Sequence, residues 1–162
     1  YKTPEANLEL EVESSNELAS RGSRLLASIV DSLTILVVTM PLMYLTGGFD
    51  EIAAGVEPTW QYNMALGFAG LVVFVAINIK FLINSGQTLG KKALGIKIVD
   101  MDGKLPGLQS HLLARYATYM LPGQVPVIGQ IFAFVNVLFI FGKQKRCVHD
   151  LVAGTQVVKV NR

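Results

Sequence analysis

Cysteine is nearly absent from this chain. Cys147 stands alone among 162 residues, which excludes an internal disulfide and any cysteine-based zinc cage. A buried or interface thiol is the role expected of it. Histidine is scarce as well: His111 and His149 are the two present, and neither lies in a serine or cysteine motif. No nucleophile, base and orienter can be assembled from such a set, so enzymatic function is the least expected class, and no metal or cofactor is implied. Charge is thin, with 16% charged against 51% apolar residues, and the net charge is only +2. That balance is too apolar for an ordinary soluble fold and gives no reason to expect a nucleic-acid partner. Residues 1 to 20 have no basic start and no apolar core but carry Glu5, Glu9, Glu11, Glu13 and Glu17, which argues against a cleavable signal peptide.

What the sequence does have is long apolar runs. Residues 24 to 46 supply about the twenty apolar positions that cross a hydrocarbon core of roughly 30 Å, yet Arg24 and Asp31 lie in the first two turns. Seven residues is close to two helical turns, which places both on one face about 10 Å apart along the axis, within reach of arginine's long side chain. Uncompensated charge in such a segment costs several kcal/mol or more, so the two are expected to pair or to share a third partner. Pro41 is expected to kink this helix and Gly47-Gly48 to end it. Ser14 and Glu17 offer a capping box that predicts a helix start near residue 15. Before it, residues 1 to 17 read as a flexible acidic arm.

Between 47 and 62 there is no lysine or arginine, while Asp50, Glu51 and Glu57 are present and Trp60 and Tyr62 suit an interfacial belt. This loop is expected to face outward. A second span follows at about 63 to 83, with Gly67 and Gly70 as a packing face and Asn78 near its inner end, where it is expected to meet Asp31. Residues 86 to 106 turn to Gly, Lys and β-branched types and read as a cytosolic β-hairpin. The run from Gln156 to Val160, within a C-terminal strand at 154 to 160, is a candidate to pair with it. Residues 109 to 142 are apolar but interrupted by Pro122-Gly123 and Pro126, with Arg115, Gln130 and Asn136 inside. A single crossing would put Lys143, Lys145 and Arg146 outside, against the inward placement of the other basic clusters. A helical hairpin broken near 122 to 126, as two short spans or a re-entrant pair, is preferred. Broken helix at that depth is tolerated only in a protein-lined setting.

The fold class read from these features is an all-α membrane protein with two full transmembrane helices, a broken third and fourth helical hairpin, a small cytosolic β-hairpin and a C-terminal strand. It is placed in the cytoplasmic (inner) membrane of a bacterium, multi-pass, with both termini cytosolic.

The stretches from Arg24 to Asp31, from Gly86 to Asp100 and from His149 to Val158 resemble, in order, the three signature stretches of the RDD family of small bacterial membrane proteins. The resemblance covers about residues 18 to 160 and defines the domain at 18 to 162, the acidic arm lying outside it. The family takes its name from one arginine and two aspartates, which by position look like Arg24, Asp31 and Asp150. The resemblance implies a membrane transport protein of unknown ligand, with sodium-proton antiport proposed for some members.

Each motif has two readings. Arg24 and Asp31 form either a proton- or cation-responsive site or a structural ion pair, and the structural reading is the stronger. As Asp31 is the only acid in an apolar span, a cation carrier would need a homo-oligomer to gather several copies. For His149 and Asp150, a proton-collecting or metal-binding pair competes with anchoring of the turn, Asp150 bonding backbone amides or pairing with Arg24 or Lys143; anchoring is favoured. Residues 85 to 92 lack the first glycine and the Ser or Thr of a phosphate loop. Lys91, Lys92 and Lys97 instead suit anionic lipid headgroups. Two functions follow: a small oligomeric transporter or channel for protons, cations or a small solute, lined by Arg24, Asp31, Asn78, Gln130 and Asn136, or a non-catalytic scaffold or accessory subunit docking a protein partner.

Overall fold

The structure, a computed structural model, describes residues 17 to 160 apart from 124 and 126. The acidic arm and the proposed cap at Ser14 lie outside the described residues. Two helices dominate: α1 (Arg21–Leu45) and, after a six-residue helix α2 (Gly48–Ala53), α3 (Trp60–Ser85). At 25 and 26 residues, both are long and apolar enough to cross a membrane. Their outward faces are apolar, with Leu33, Val37, Leu45, Phe68 and Val72 more than half exposed.

The first helix does not start near residue 15. Its cap is Ser20, whose hydroxyl accepts the Ser23 amide at 3.0 Å, and residues 17 to 19 are held extended against the C-terminal strand. The hydroxyls of Ser28, Thr34 and Thr39 bond to carbonyls one turn back, which lets polar side chains sit in an apolar helix. The helix runs on through Pro41 to Leu45, and Gly47 turns the chain at φ +78°. α1 and α3 approach closely at Gly70, where a Cβ would come within 3.3 Å of the Ile35 side chain.

At the end of α3 the chain breaks into small pieces that pack under the two helices. Gly86 adopts φ +65° and accepts the Ile98 amide at 2.7 Å. Thr88 then caps α4 (Leu89–Ala93), and β1 (Ile96–Asp100) follows. The expected hairpin at 86 to 106 is not one: β1 has no strand partner within that segment. It pairs antiparallel with β2 (Thr155–Lys159), Ile98 opposite Val157, as the matching β-branched runs suggested. The other edge of β2 receives residues 17 to 19, through Ala19 to the Val157 carbonyl and Lys159 to the Glu17 carbonyl, each at 2.9 Å. Ile96, Ile98, Val157, Ala19 and Ala27 join Leu82, Phe74 and Leu112 in one buried cluster.

Between the strands lies a helical pair. A π-turn at Leu108–Leu112 leads into α5 (Leu113–Gly123), followed by α6 (Ile128–Leu138), a 3₁₀ turn at Phe139–Phe141 and α7 (Val148–Val152). α5 and α6 are each 11 residues long, too short to cross a bilayer singly. The break falls where the prolines predicted it. Gly129 seats α6 against the Pro122 carbonyl so closely that a Cβ there would lie 2.6 Å from it.

Candidate functional site

Asp150 is brought inward by α7, whose first turn it closes by accepting the Cys147 amide at 2.9 Å. It is completely buried and flanked by two guanidinium groups, Arg24 on one oxygen and Arg115 on the other. Each arginine is tied further. Arg115 donates to the Thr155 hydroxyl at 2.7 Å, and Arg24 donates to the Lys145 carbonyl. Arg146 bridges the Thr155 and Asp150 carbonyls, both at 3.0 Å. Burial alone would raise the Asp150 pKa, but Arg115 and Arg24 outweigh it and hold the carboxyl well below the usual carboxylate range. One carboxylate thus fastens α1, α5, α7 and β2 together.

The expected pairing of Arg24 with Asp31 does not occur. Arg24 is drawn to Asp150, and Asp31 is taken by α4: its oxygens accept the Thr88 hydroxyl at 2.6 Å and the Gly90 amide at 2.7 Å. This fit depends on Gly90, where a Cβ would collide with the Ala27 carbonyl and lie 2.9 Å from Asp31 Oδ1. The amine of Lys91 is 4.0 Å from Asp31 Oδ2 and 3.4 Å from the Thr88 hydroxyl, a loose ion pair. Lys91 is therefore largely buried and does not face lipid headgroups from the surface as Lys92 can. Burial first, then Arg115, lowers its pKa to about 8, with Asp31 acting in the opposite sense.

Asn78 does not reach Asp31 either. Its amide caps α4 by accepting the Leu89 amide at 2.7 Å and donates to the Phe74 carbonyl at 2.9 Å, so its polar groups are spent on holding α4 to α3. Asn136 orients His149, its Oδ1 lying 2.9 Å from Nδ1. Burial and then Arg115 push the imidazole far below its ordinary pKa and keep it neutral, while Tyr119 packs edge-on against it at 5.6 Å. Gln130 is exposed and takes no part in the site. Cys147, His149 and Asp150 converge within 4.8 Å, but guanidinium groups already hold both Asp150 oxygens, a charge balance that does not fit a metal cation.

These two charged groups line or back a single cavity of about 170 Å³. Asp31, Lys91 and Thr88 form part of its wall, Arg24, Arg115 and His149 another, and Ile35, Phe74, Met120, Val137 and Ile140 the apolar remainder. Sequence reasoning passed over Thr88, Gly90 and Tyr116; the signal for the first two was their place beside Lys91 in the Gly86 to Asp100 stretch.

The arginine and two aspartates that carry the resemblance thus line or back one cavity, in two separate charged groups, and the sequence profile of the RDD family matches residues 18–154. This chain belongs to the RDD family. Among relatives of the same kind, an uncharacterized protein YxaI of Bacillus subtilis (strain 168) is 27% identical over 150 residues, covering 83% of this chain and 93% of that protein. An uncharacterized protein of Haemophilus influenzae is 28% identical over 149 residues, covering 87% of this chain and 78% of its own length. No solved structure matches this chain. RDD membership and the two apolar helices mark a membrane protein.

Proposed function

We propose that this protein is a multi-pass protein of the bacterial cytoplasmic membrane, a small transporter or channel that takes an ion or small solute into the cavity between α1, α3, α4 and the helical pair. Lys97 lies in β1, Arg146 bonds the first residue of β2, and Arg24 and Lys91 pair with Asp150 and Asp31 beside them, whereas the loop between α1 and α3 has Asp50, Glu51 and Glu57 and no base. By the positive-inside bias, that supports both ends of the domain facing the cytosol. α1 and α3 would cross, and α5 and α6 would enter and return, with Arg115, Tyr116 and Asn136 on the cavity wall, since broken helix at that depth needs a protein-lined or polar setting.

The observation that carries the transport reading is the loose pair of Asp31 and Lys91 at 4.0 Å on the cavity wall. A pair held so weakly can exchange partners with an entering ligand at small cost, unlike a sealed one. Because one chain lines the whole cavity, no gathering of Asp31 residues from several protomers is required. The scaffold reading is weaker: both edges of the small sheet are covered among the described residues, which leaves a partner strand no place to add. Flux into proteoliposomes tests the proposal. Wild-type protein should move an ion or solute down an imposed gradient, and Asp31→Asn, nearly equal in size, should lose most of that flux while staying folded. A folded wild-type protein that moves nothing under any gradient returns the scaffold reading.

A further inference from the structure

The cavity wall is not electrically balanced. Asp150 is fully engaged by Arg24 and Arg115, and Asp31, which accepts from Thr88 and Gly90, is the one carboxylate among the described residues that pairs with Lys91. Three cations therefore face two carboxylates, with His149 neutral. The phenol oxygen of Tyr116 is buried near the Arg115 guanidinium and makes no well-formed hydrogen bond, so it offers a donor toward a ligand. Beside these groups the wall carries hydrocarbon: Ile35, Phe74, Met120 and Ile140.

From this we infer that the cavity binds a small organic monoanion, a carboxylate whose head is taken by Lys91, Tyr116 and Arg115 and whose short apolar body lies against Phe74, Met120 and Ile140. Size agrees: a dry apolar cavity of about 150 Å³ accepts benzene, so one of about 170 Å³ suits a ring or a chain of a few carbons. Charge agrees as well. A cation would add to an excess of positive charge in a medium that screens it poorly, whereas a carboxylate neutralises it and can approach the Lys91 ammonium more closely than Thr88 Oγ1 at 3.4 Å or Asp31 Oδ2 at 4.0 Å. Free halide would meet the charge but leave the apolar wall unused.

The inference rests on the cavity being the ligand site of the proposed transporter, but binding can be read without transport. The measurement is calorimetric titration of the full chain in lipid nanodiscs at fixed ionic strength and pH 7, with benzoate and butyrate as probes and butylammonium and chloride as controls. Benzoate and butyrate are expected to bind saturably, at least about tenfold tighter than butylammonium or chloride. Lys91→Gln should weaken benzoate by about tenfold or more, the loss of one charge-assisted hydrogen bond, and Tyr116→Phe by a smaller factor. Binding should also fade above pH 8 as Lys91 releases its proton to solvent, a loss that burial and the Arg115 and Arg24 charges favour and the Asp31 and Asp150 charges oppose. Equal binding of benzoate and butylammonium by the wild type, or no saturable binding of either carboxylate, overturns the inference irrespective of how the variants fold. Benzoate binding without flux of any solute overturns transport and leaves this site standing. Flux without carboxylate binding does the reverse.

Discussion

Asp150 and Asp31 are both buried acids, Asp31 on the wall of the pocket and Asp150 behind the arginines that line it, yet they are held in opposite ways. Asp150 has a guanidinium on each oxygen and a backbone amide besides, so nothing from outside can reach it without breaking four elements apart. Asp31 has a hydroxyl, an amide and a lysine 4.0 Å away; it is hydrogen-bonded but only loosely neutralised. The difference teaches that charge in an apolar setting can serve as a rivet or as a wall, and that the number of arginines decides which. A sealed carboxylate contributes position, because removing it strands two cations. A loosely paired one contributes a field that a ligand can share.

The strongest way to break this contrast is Asp150→Asn. It leaves Arg24 and Arg115 buried without a counter-charge and should cost on the order of 3–5 kcal/mol, the usual loss when one member of a buried pair is removed. Chemical unfolding in detergent reads the effect. Asp31→Asn, which keeps an acceptor for Thr88 or Gly90, should cost about 1–2 kcal/mol, since one hydrogen bond to a charged group is lost and Lys91 can shed its proton. Equal losses for the two variants would remove the distinction between rivet and wall.

A middle-sized effect belongs to Gly90→Ala. The added methyl would run into the Ala27 carbonyl, which cannot yield without bending α1, so α4 must back away and Asp31 loses the Gly90 amide. Overpacking of this kind costs about 1–3 kcal/mol. Thermal unfolding should show that loss, and Gly22→Ala, where a Cβ has nothing nearer than the Ser20 hydroxyl at 4.0 Å, should be close to neutral.

Much of this architecture was legible beforehand. The two long helices follow from unbroken apolar runs, the broken pair at 109 to 142 from Pro122 and Pro126, and the pairing of β1 with β2 from two matching β-branched runs. The partners of the charges were not. Arg24 and Asp31 share a helical face, and spacing alone predicts that they meet; that Asp150, 126 positions further on, would claim Arg24 instead is decided by tertiary closure through β2 and α7. Lys91 was misread for the same reason. In a basic stretch it looks like a headgroup contact, and only the docking of Gly90 on Ala27 turns it inward. Asn78 was rightly expected to be polar and inward at the end of α3, but its partner is the backbone of α4, a class of bond that sequence periodicity does not register.

The subtlest test separates the two acids' surroundings by pH. For His149 the folded pKa is far below 6.5, so the unfolded chain binds the extra proton and stability rises as pH climbs through about that value. Asp150, depressed below 3.8, contributes stability that is present above that pH and lost as pH falls toward its folded value. Lys91, lowered from 10.5 to about 8, again leaves the unfolded chain with more protons between those limits, so stability should rise once more from pH 8 to 10.5. All three signs agree, but the windows differ. The acid and near-neutral rises report the Asp150 side, and the alkaline rise reports the Asp31 side. His149→Gln should flatten the rise near pH 6.5 and leave the alkaline one, whereas Lys91→Met should erase the alkaline rise alone. A Lys91→Met protein whose unfolding midpoint still climbs between pH 8 and 10.5 would mean that another group titrates there, and that the lysine is better hydrated than a cavity wall permits.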